Sequence, residues 1–457
     1  MNRHSLALPA LAAVLASVCF AADSLPLQPK TLPPDERFKA DILLIVAHPD
    51  DETAIGPYLA RAIYDQHKRV AVIFGTRGNG GGNAVGLEQA AALGSIREIE
   101  GRRALASMGV LNVWFLDGPD TPGQDVLRSL ETWNHGNALW QAVRIVRLTR
   151  PEVILTWLPL YSAGENHGDH QAAGVIATEA FDLAGDPTVF PEQVSAPRDR
   201  DNMSNLTEGL RTWQSKKLYY FSDASHFEFL DKAGPQYGSK DLSQSRGKSY
   251  ARLAAEEMSL HLTQGDSGQV AREALEKDDY KVFDDPSRLV LGKSHVQSGI
   301  EAEIFEGITA TPIAFAPAPG YRPHEAAGLS AELGGPWAFY TRFWQAHGIE
   351  HLQKLLQPEV NVSAARQLAL PVLIHNRTPE DREIAVTLTL PAGWSVDRGV
   401  GRYPAARGES IPVQFFLTTP AKPDALWQTV IVNVEAPGSP RIELPLRVNL
   451  APGSMPQ

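Results

Sequence analysis

Five short apolar runs, separated by amphipathic stretches, mark the first half of the chain. The runs occupy residues 41–47, 69–74, 112–116, 152–157 and 217–221. Helical patterns occur around them, at residues 55–66, 87–108, 171–184 and 249–262. Continuous apolar strands that alternate with helices are typical of a parallel sheet covered on both faces. We therefore predict an α/β fold of Rossmann-like topology, with a mostly parallel sheet and helices on both faces.

The last hundred residues show a different pattern. Short strand-like segments at residues 367–374, 383–390, 410–417, 427–434 and 441–448 are separated by turns, with no helical stretch between them. Such spacing predicts an antiparallel, Ig-like β-sandwich, which we place at residues 358–450. Several prolines interrupt residues 265–350, so their pattern assigns no fold. We group them with the α/β domain, which then covers residues 41–350.

The chain starts with a pattern typical of export. Arg3 precedes an apolar run of about 15 residues, Leu6 to Phe20, and the small residues Ala21 and Ala22 follow. This predicts a signal peptide at residues 1–21 and a periplasmic or secreted protein, because a membrane span needs about 20 apolar residues. An uncleaved anchor is the alternative. A proline-rich linker then covers residues 22–40.

Cysteine and charge exclude several functions. Cys19 is the only cysteine and lies within the predicted signal peptide, so the mature chain has neither a disulfide nor thiolate chemistry. No other apolar run is long enough to cross a bilayer. The net charge is −11 and no basic cluster is present, which argues against nucleic acid as a partner.

Two polar segments carry the candidate chemistry. The segment Ala47–Glu52 (AHPDDE) follows the first predicted strand, and the segment Glu165–His170 (ENHGDH) follows the fourth. In open α/β sheets, ligands bind at the carboxyl ends of the strands, so both segments are expected at one edge. Imidazole and carboxylate groups are suitable zinc ligands, and a site with three protein ligands leaves one position open for water, as in catalytic zinc centres.

These segments resemble the PIG-L/LmbE-like family of zinc-dependent N-deacetylases. The resemblance covers residues 41 to about 264. It rests on the two segments above and on further short matches, namely Gly75–Gly78, Ile96–Glu100 with Ala104, Asp117–Asp120 and His261–Gln264. The C-terminal strands resemble bacterial sandwich modules appended to glycan enzymes.

The resemblance implies a metal centre and a base. His48, Asp51 and His170 would bind one Zn²⁺ per chain, although another divalent metal is possible. Asp50 would be the general base that takes a proton from water. The alternative for the first segment is an Asp-rich cap at a helix start, since Asp is a good N-cap.

The same resemblance assigns three further roles. His167 would polarise the amide carbonyl or donate a proton to the tetrahedral intermediate, and Asp169 would orient one of the imidazoles. Arg77 would contact substrate, with a structural ion pair as the alternative. The family often has an acid after the Gly78 turn, whereas Asn79 and three glycines stand here.

Together these observations predict a metal-dependent hydrolase that removes an N-acetyl group from an amino sugar or glycan-like substrate. A zinc amidase acting on another acylated amine, such as a thiol conjugate or an antibiotic-like glycoside, remains an alternative. A non-catalytic glycan-binding protein, in which the sandwich binds the glycan, is another. The sequence leaves the oligomeric state open.

Aromatic and histidine residues outside the motifs have simpler interpretations. We expect His261 to be a buried, hydrogen-bonded histidine. Trp133 and Trp140 are expected in the core, with stacking on a sugar as the alternative. The aromatic residues between Trp337 and Trp344 are predicted to pack between the two domains, or to form a platform for sugar.

Overall fold

The computed structural model describes residues 33–160, 167–195, 207–222, 230–323 and 327–450. The predicted signal peptide and most of the predicted linker lie outside these ranges, as do Glu165 and Asn166 of the second motif. Within the described residues, no helix has both the length and the apolar character needed to cross a bilayer.

A six-stranded sheet forms the centre of the α/β domain. Its strands are β1 (Ile42–Val46), β2 (Val70–Phe74), β3 (Asn112–Phe115), β4 (Val153–Trp157), β5 (Lys217–Phe221) and β8 (Val290–Ser294). The spatial order is β3-β2-β1-β4-β5-β8. The first five strands run parallel, and β8 pairs antiparallel with β5. The predicted mostly parallel sheet is confirmed, and all five predicted strands are present.

Helices cover both faces of this sheet. They are α1 (Gly56–Tyr64), α2 (Ala90–Ser107), α3 (Val126–Thr132), α4 (His135–Thr149), α5 (Gly168–Leu183), α6 (Pro191–Val194), α7 (Tyr250–Met258) and α8 (Val270–Lys277). Alternate residues of β1 belong to two separate hydrophobic clusters: Leu43 and Ile45 to one, Ile42 and Leu44 to the other. Both faces of the strand are therefore buried, which explains its uninterrupted apolar sequence.

The strand order reverses direction between β1 and β4. The chain winds from β1 outward to β2 and β3, and then returns to place β4 on the other side of β1. The carboxyl ends of two such neighbouring strands leave a crevice, the usual ligand site of this topology. The loops after β1 and β4 carry the two predicted motifs, so the fold brings both to the same crevice.

The β-sandwich consists of two sheets. Its strands are β9 (Gly328–Leu333), β10 (Glu359–Asn361), β11 (Gln367–Arg377), β12 (Arg382–Thr389), β13 (Ser395–Arg398), β14 (Gly401–Ala405), β15 (Ser410–Thr418), β16 (Trp427–Glu435) and β17 (Ile442–Asn449). One sheet has the order β10-β17-β16-β12-β14 and the other β13-β15-β11-β9. Their inward residues, such as Val372, Phe415 and Val432, form a hydrophobic core of their own.

Residues 265–350, which the sequence left unassigned, divide between the two domains. β8 completes the central sheet, whereas β9 pairs with β11 in the sandwich. The sandwich thus includes a strand from within residues 41–350, the range predicted for the α/β domain. A short pair, β6 (Gln236–Tyr237) and β7 (Ser287–Arg288), forms a separate ribbon.

Helix α9 (Pro336–His347), followed by α10 (Glu350–Gln353), lies between the two cores. Tyr340, Phe343 and Trp344 are buried in a core of the α/β domain, while Trp337 packs against the sandwich core. The predicted packing role of this aromatic segment is confirmed. Trp133 is also a core residue, and its indole donates to the Pro119 carbonyl over 3.1 Å.

Candidate active site

His48, Asp51 and His170 meet in the crevice between β1 and β4. His48 Nδ1 lies 3.3 Å from His170 Nε2, and Asp51 Oδ1 lies 3.1 Å from His170 Nε2 and 3.7 Å from His48 Nδ1. Ligand atoms around tetrahedral zinc, with bonds of about 2.0–2.1 Å, lie about 3.3–3.4 Å apart. The three atoms therefore have the chemistry and the spacing of a zinc-binding face.

Asp51 is held by three donors on one oxygen. Its Oδ2 accepts hydrogen bonds from the Trp157 indole at 2.7 Å and from the amides of Ala47 and His48 at 2.8 and 3.0 Å. Oδ1 is left to face the two imidazoles. Burial by itself raises the pKa of Asp51, but the charges and hydrogen bonds of His170 and His48 lower the pKa well below its usual range. The carboxylate is thus ionised and oriented for a cation.

Asp169 faces the other side of the His48 ring. Its Oδ2 lies 3.5 Å from His48 Nε2 and accepts the Thr121 amide at 2.7 Å. Burial lowers the pKa of His48, but hydrogen bonds with Asp169 and Asp51 raise it well above its usual value. A carboxylate behind a ligating histidine fixes the ring orientation and raises its basicity. This geometry would suit the orienting role of Asp169, which stays a prediction.

His170 is placed by the close approach of α5 to β4. A Cβ on Gly174 would lie 2.4 Å from the Trp157 carbonyl oxygen, so only glycine allows the helix to pack at this distance. The Trp157 and His170 rings consequently lie 4.6 Å apart, centroid to centroid. Trp157 therefore contacts two of the three predicted ligands.

His167 caps the same helix. Its Nδ1 accepts the Asp169 amide at 3.3 Å, which leaves Nε2 as the donor of the neutral ring. Burial, followed by the charges of His170 and His48, lowers the pKa of His167 strongly. Its ring nitrogen also lies within 4.8 Å of nitrogens of His48 and His170, so these three form a second possible metal-binding set.

Asp50 has an unusual backbone conformation, with φ at 104°. Its amide donates to Glu52 Oε2 at 2.9 Å, and its Oδ2 accepts from the Ser267 hydroxyl at 2.8 Å. Burial and the neighbouring charge of Asp51 raise the pKa of Asp50 to about 6. A carboxylate with such a pKa remains ionised at neutral pH and is a stronger base than an ordinary aspartate.

The segment from His261 to Ser267 is hydrogen-bonded to the loop at residues 49–52. His261 Nε2 lies 2.9 Å from Glu52 Oε1, and the side-chain amide of Gln264 donates to the Pro49 carbonyl. Burial raises the pKa of Glu52 to about 7. Burial acts to lower the pKa of His261, but the carboxylates of Glu52 and Glu257 raise the pKa of His261 well above its usual value. The expectation of a buried, hydrogen-bonded His261 is confirmed.

Arg77 lies apart from the predicted ligands. Its Nε donates to Glu98 at 2.8 Å, and its Nη1 donates to the Leu116 carbonyl at 3.3 Å. Within the described part of the chain, no hydrogen bond or ion pair joins it to another predicted site residue. The ion-pair alternative accounts for this geometry, and substrate contact by Arg77 stays a prediction.

A different arginine holds the glycine-rich loop. Buried Arg97 donates to the carbonyls of Gly78 and Gly82, each at 2.7 Å, and the Gly80 amide donates to Asp120 at 2.6 Å. Asp120 Oδ1 lies 3.9 Å from His48 Nε2. The loop is therefore anchored to the edge of the site.

The structure thus brings six of the seven predicted residues into one crevice: His48, Asp50, Asp51, His167, Asp169 and His170. It adds residues whose sequence context predicted no role, namely Trp157, Thr121, Asp120 and Ser267. Only the position of Asp120 in a family-like segment gave any signal.

The first half of the chain is similar in sequence to known proteins. Residues 43–181 match the family described as PIG-L, GlcNAc-PI de-N-acetylase. A 1D-myo-inositol 2-acetamido-2-deoxy-alpha-D-glucopyranoside deacetylase from Geodermatophilus obscurus is 29% identical over 306 residues, covering 58% of this chain and 97% of that protein. The enzyme of the same name from Frankia casuarinae, numbered 1, is 32% identical over 39% of this chain and 57% of its own length.

Among solved structures, an N,N'-diacetylchitobiose deacetylase from Pyrococcus horikoshii aligns with 59% of this chain and 87% of its own. The identity is 16% and the TM-score 0.39.

Proposed function

We propose that the protein is a zinc-dependent hydrolase that removes an N-acetyl group from an amino sugar or a related glycan, since residues 43–181 match the PIG-L family of N-deacetylases. The observation that carries the proposal is the His48–Asp51–His170 set with the half-buried Asp50 beside it. Three ligands and an adjacent base are the parts that hydrolysis of an unreactive amide requires.

The donor set suits a divalent metal in the zinc class. Two imidazole nitrogens and one ionised carboxylate oxygen are donors that zinc commonly takes in proteins, and their spacing is close to that of tetrahedral coordination. When bound there, zinc would acidify water and polarise the amide carbonyl as a Lewis acid. Metal identity and stoichiometry of one ion per chain are part of the proposal.

Asp50 is assigned the proton transfer. Its carboxylate accepts the proton from the attacking water, while Ser267 holds Oδ2 in place. The raised pKa favours this step, because a base is most effective when its pKa lies near the working pH. The two carboxylates therefore have different roles. Asp51 stays ionised as a metal ligand, and Asp50 takes up the proton of the attacking water.

His167 is assigned to the carbonyl oxygen. A neutral ring with Nδ1 accepting from the Asp169 amide presents Nε2–H to the site. Such a donor stabilises the negative charge that develops on the oxygen. The lowered pKa of His167 favours this role over that of a proton donor.

The substrate class rests on the relatives. Two of them are deacetylases of an inositol-linked acetamido sugar by name. This supports an N-acetylated amino sugar, and other acylated amines are the second candidate. We also propose export, on the apolar run at residues 6–20; N-terminal sequencing of protein from the periplasm or medium should find a start after Ala21.

Acetate release, combined with metal analysis, tests the proposal. The substrates are N-acetylglucosamine oligomers and the inositol-linked acetamido sugar. Wild type should bind one zinc and release acetate, and Asp50→Asn should keep the zinc but lose about 10²–10⁴ in rate. Asp186→Asn, in an exposed loop, is the matched control and should behave as wild type.

The outcomes separate the candidates. Zinc without acetate release from either sugar would move the assignment to other acylated amines. Absence of zinc from wild type, after metal is supplied, would overturn the catalytic proposal and favour a glycan-binding protein.

A further inference from the structure

The first turn of α5, which contains the end of the second motif, is hydrogen-bonded to a loop at residues 119–125. The Thr121 amide donates to Asp169 Oδ2 at 2.7 Å, and the Gly168 amide donates to the Gly123 carbonyl at 2.9 Å. The Gln171 side chain donates to the Gln124 carbonyl at 3.1 Å. The loop therefore contacts residues on both sides of His170.

The same loop is bonded to the sandwich. The Gln124 side-chain amide donates to the Asn361 carbonyl at 3.2 Å, and its oxygen accepts the Asn361 amide at 2.8 Å. The Gln124 side chain thus bonds to both the N–H and the C=O of Asn361, as a backbone residue of a neighbouring β-strand would. Two bonds in opposite directions fix the amide plane, so the position of Gln124 depends on β10.

Helix α9 contacts α5 from a second side. The Tyr340 hydroxyl donates to Gln171 Oε1 at 2.9 Å, and both side chains are buried. Farther along the helix, His347 Nδ1 lies 2.7 Å from Asp182 Oδ2. In the chain, α9 and the short α10 lie between the sandwich strands β9 and β10, so this part of the α/β core is tethered to the sandwich at both ends.

Gln171 is bonded both to the 119–125 loop and to α9. It follows His170 directly, and the two bonds are made by opposite ends of its side-chain amide. Rotation of the first turn of α5 would disturb both bonds. The two hydrogen bonds thus restrict rotation of α5 about its axis and so fix the direction in which the His170 side chain points. Packing of apolar side chains alone would allow the helix to rotate slightly.

We propose that the sandwich-side segment β9–α9–β10 positions the metal-binding end of α5, with Tyr340 and Gln124 as positioning residues. The sandwich is then a structural part of the active site, and its loss would weaken metal binding even with every ligand present. This inference rests on the proposed metal role of His170.

Zinc affinity of the full chain tests the inference without reference to substrate. Tyr340→Phe removes only the hydroxyl and retains the packed ring. Competition with a chromophoric chelator should show zinc binding weakened about three- to tenfold, the equivalent of one net hydrogen bond. Gln124→Ala should have an effect of at least the same size. With an active substrate, kcat should fall with KM nearly unchanged.

Tyr220→Phe is the matched control. Its buried hydroxyl bonds to Thr178 of the same helix at 2.7 Å, two turns beyond His170. It should lose similar thermal stability but keep the zinc affinity of wild type. Equal zinc affinity in Tyr340→Phe, Gln124→Ala and wild type, or an equal loss in Tyr220→Phe, would overturn the inference. Wild type that binds no zinc would instead overturn the proposed function.

Discussion

The indole nitrogen of Trp157 donates a 2.7 Å hydrogen bond to Asp51 Oδ2, which joins the last residue of β4 to the carboxylate that follows β1. Because two backbone amides share the same oxygen, Oδ2 is fully occupied and Oδ1 is directed to His170. The two central strands of the sheet are thus coupled through a side chain at the site itself.

Trp157→Phe should weaken zinc binding about 10- to 100-fold, the usual effect of removing a partner of a metal ligand. The phenyl ring retains the contact with His170, so the loss reports the hydrogen bond. Chelator competition measures it. Trp213→Phe is the control, since that indole donates to the Pro151 carbonyl at 2.7 Å, outside the crevice. Equal affinity in both variants would show that the indole bond does not orient Asp51.

Ser267→Ala should lower kcat about three- to tenfold, because Asp50 loses the hydrogen bond that holds Oδ2. KM and bound zinc should stay as in wild type. Ser267→Thr keeps a hydroxyl and should recover most of the rate. If alanine and threonine variants are equally impaired, the backbone near residue 267 is responsible and the hydroxyl is not.

Gly174→Ala should destabilise the fold by about 2–4 kcal/mol, since the new methyl group would lie 2.4 Å from the Trp157 carbonyl oxygen and force α5 away from β4. Gly136→Ala, in α4, has open space at its Cβ and should stabilise by about 0.5–1 kcal/mol. Urea unfolding measures both. Similar shifts in the two variants would contradict the close approach.

His135 gives a pH-dependent contribution to stability. Its Nε2 lies 2.5 Å from Glu179 on α5, and this hydrogen bond raises the pKa of His135 above its usual 6.5, against the opposing effect of burial. A raised folded-state pKa means that the stabilisation is complete below the unfolded value and is lost as pH rises through the folded one.

The difference in unfolding free energy between wild type and His135→Gln should therefore be largest below pH 6.5, the usual histidine pKa, and should decline as the pH rises above it. Glu179→Gln in both backgrounds should remove the pH dependence. A difference that stays constant, or grows with pH, would show that the pair is not ionic.

The sequence predicted the α/β fold, the five parallel strands and the six clustered site residues because each depends on local information. Apolar strands and two motifs at strand ends can each be recognised within a single segment of the sequence. Topology then places strand ends together without further detail. Helices α3 and α4 and the edge strands β9, β10, β13 and β14 were not predicted. β9 and β10 pair with strands distant in sequence, whereas β13 and β14 are only 4 and 5 residues long.

Residues whose role depends on a distant partner were missed for the same reason. In the sequence, Trp157 resembles any other strand residue, because its bond to Asp51 is visible only in the fold. Ser267 lies 217 residues from Asp50, so the sequence gives no indication that the two side chains meet. Arg77 and Arg97 illustrate the opposite difficulty. Both suit an anion or an ion pair, and only the fold shows that Arg97 is buried under the glycine loop while Arg77 pairs with Glu98.

The path of the chain between residues 328 and 361 has a consequence for how such a protein can be divided. β9 enters the sandwich, α9 returns to pack on the α/β core, and β10 enters the sandwich again. No single cut in this stretch yields two complete halves: one made before β9 strips α9 from the α/β core, and one made after α9 takes the edge strand from β11. The chain therefore passes between the two domains more than once, and a truncation in this stretch removes part of one of them.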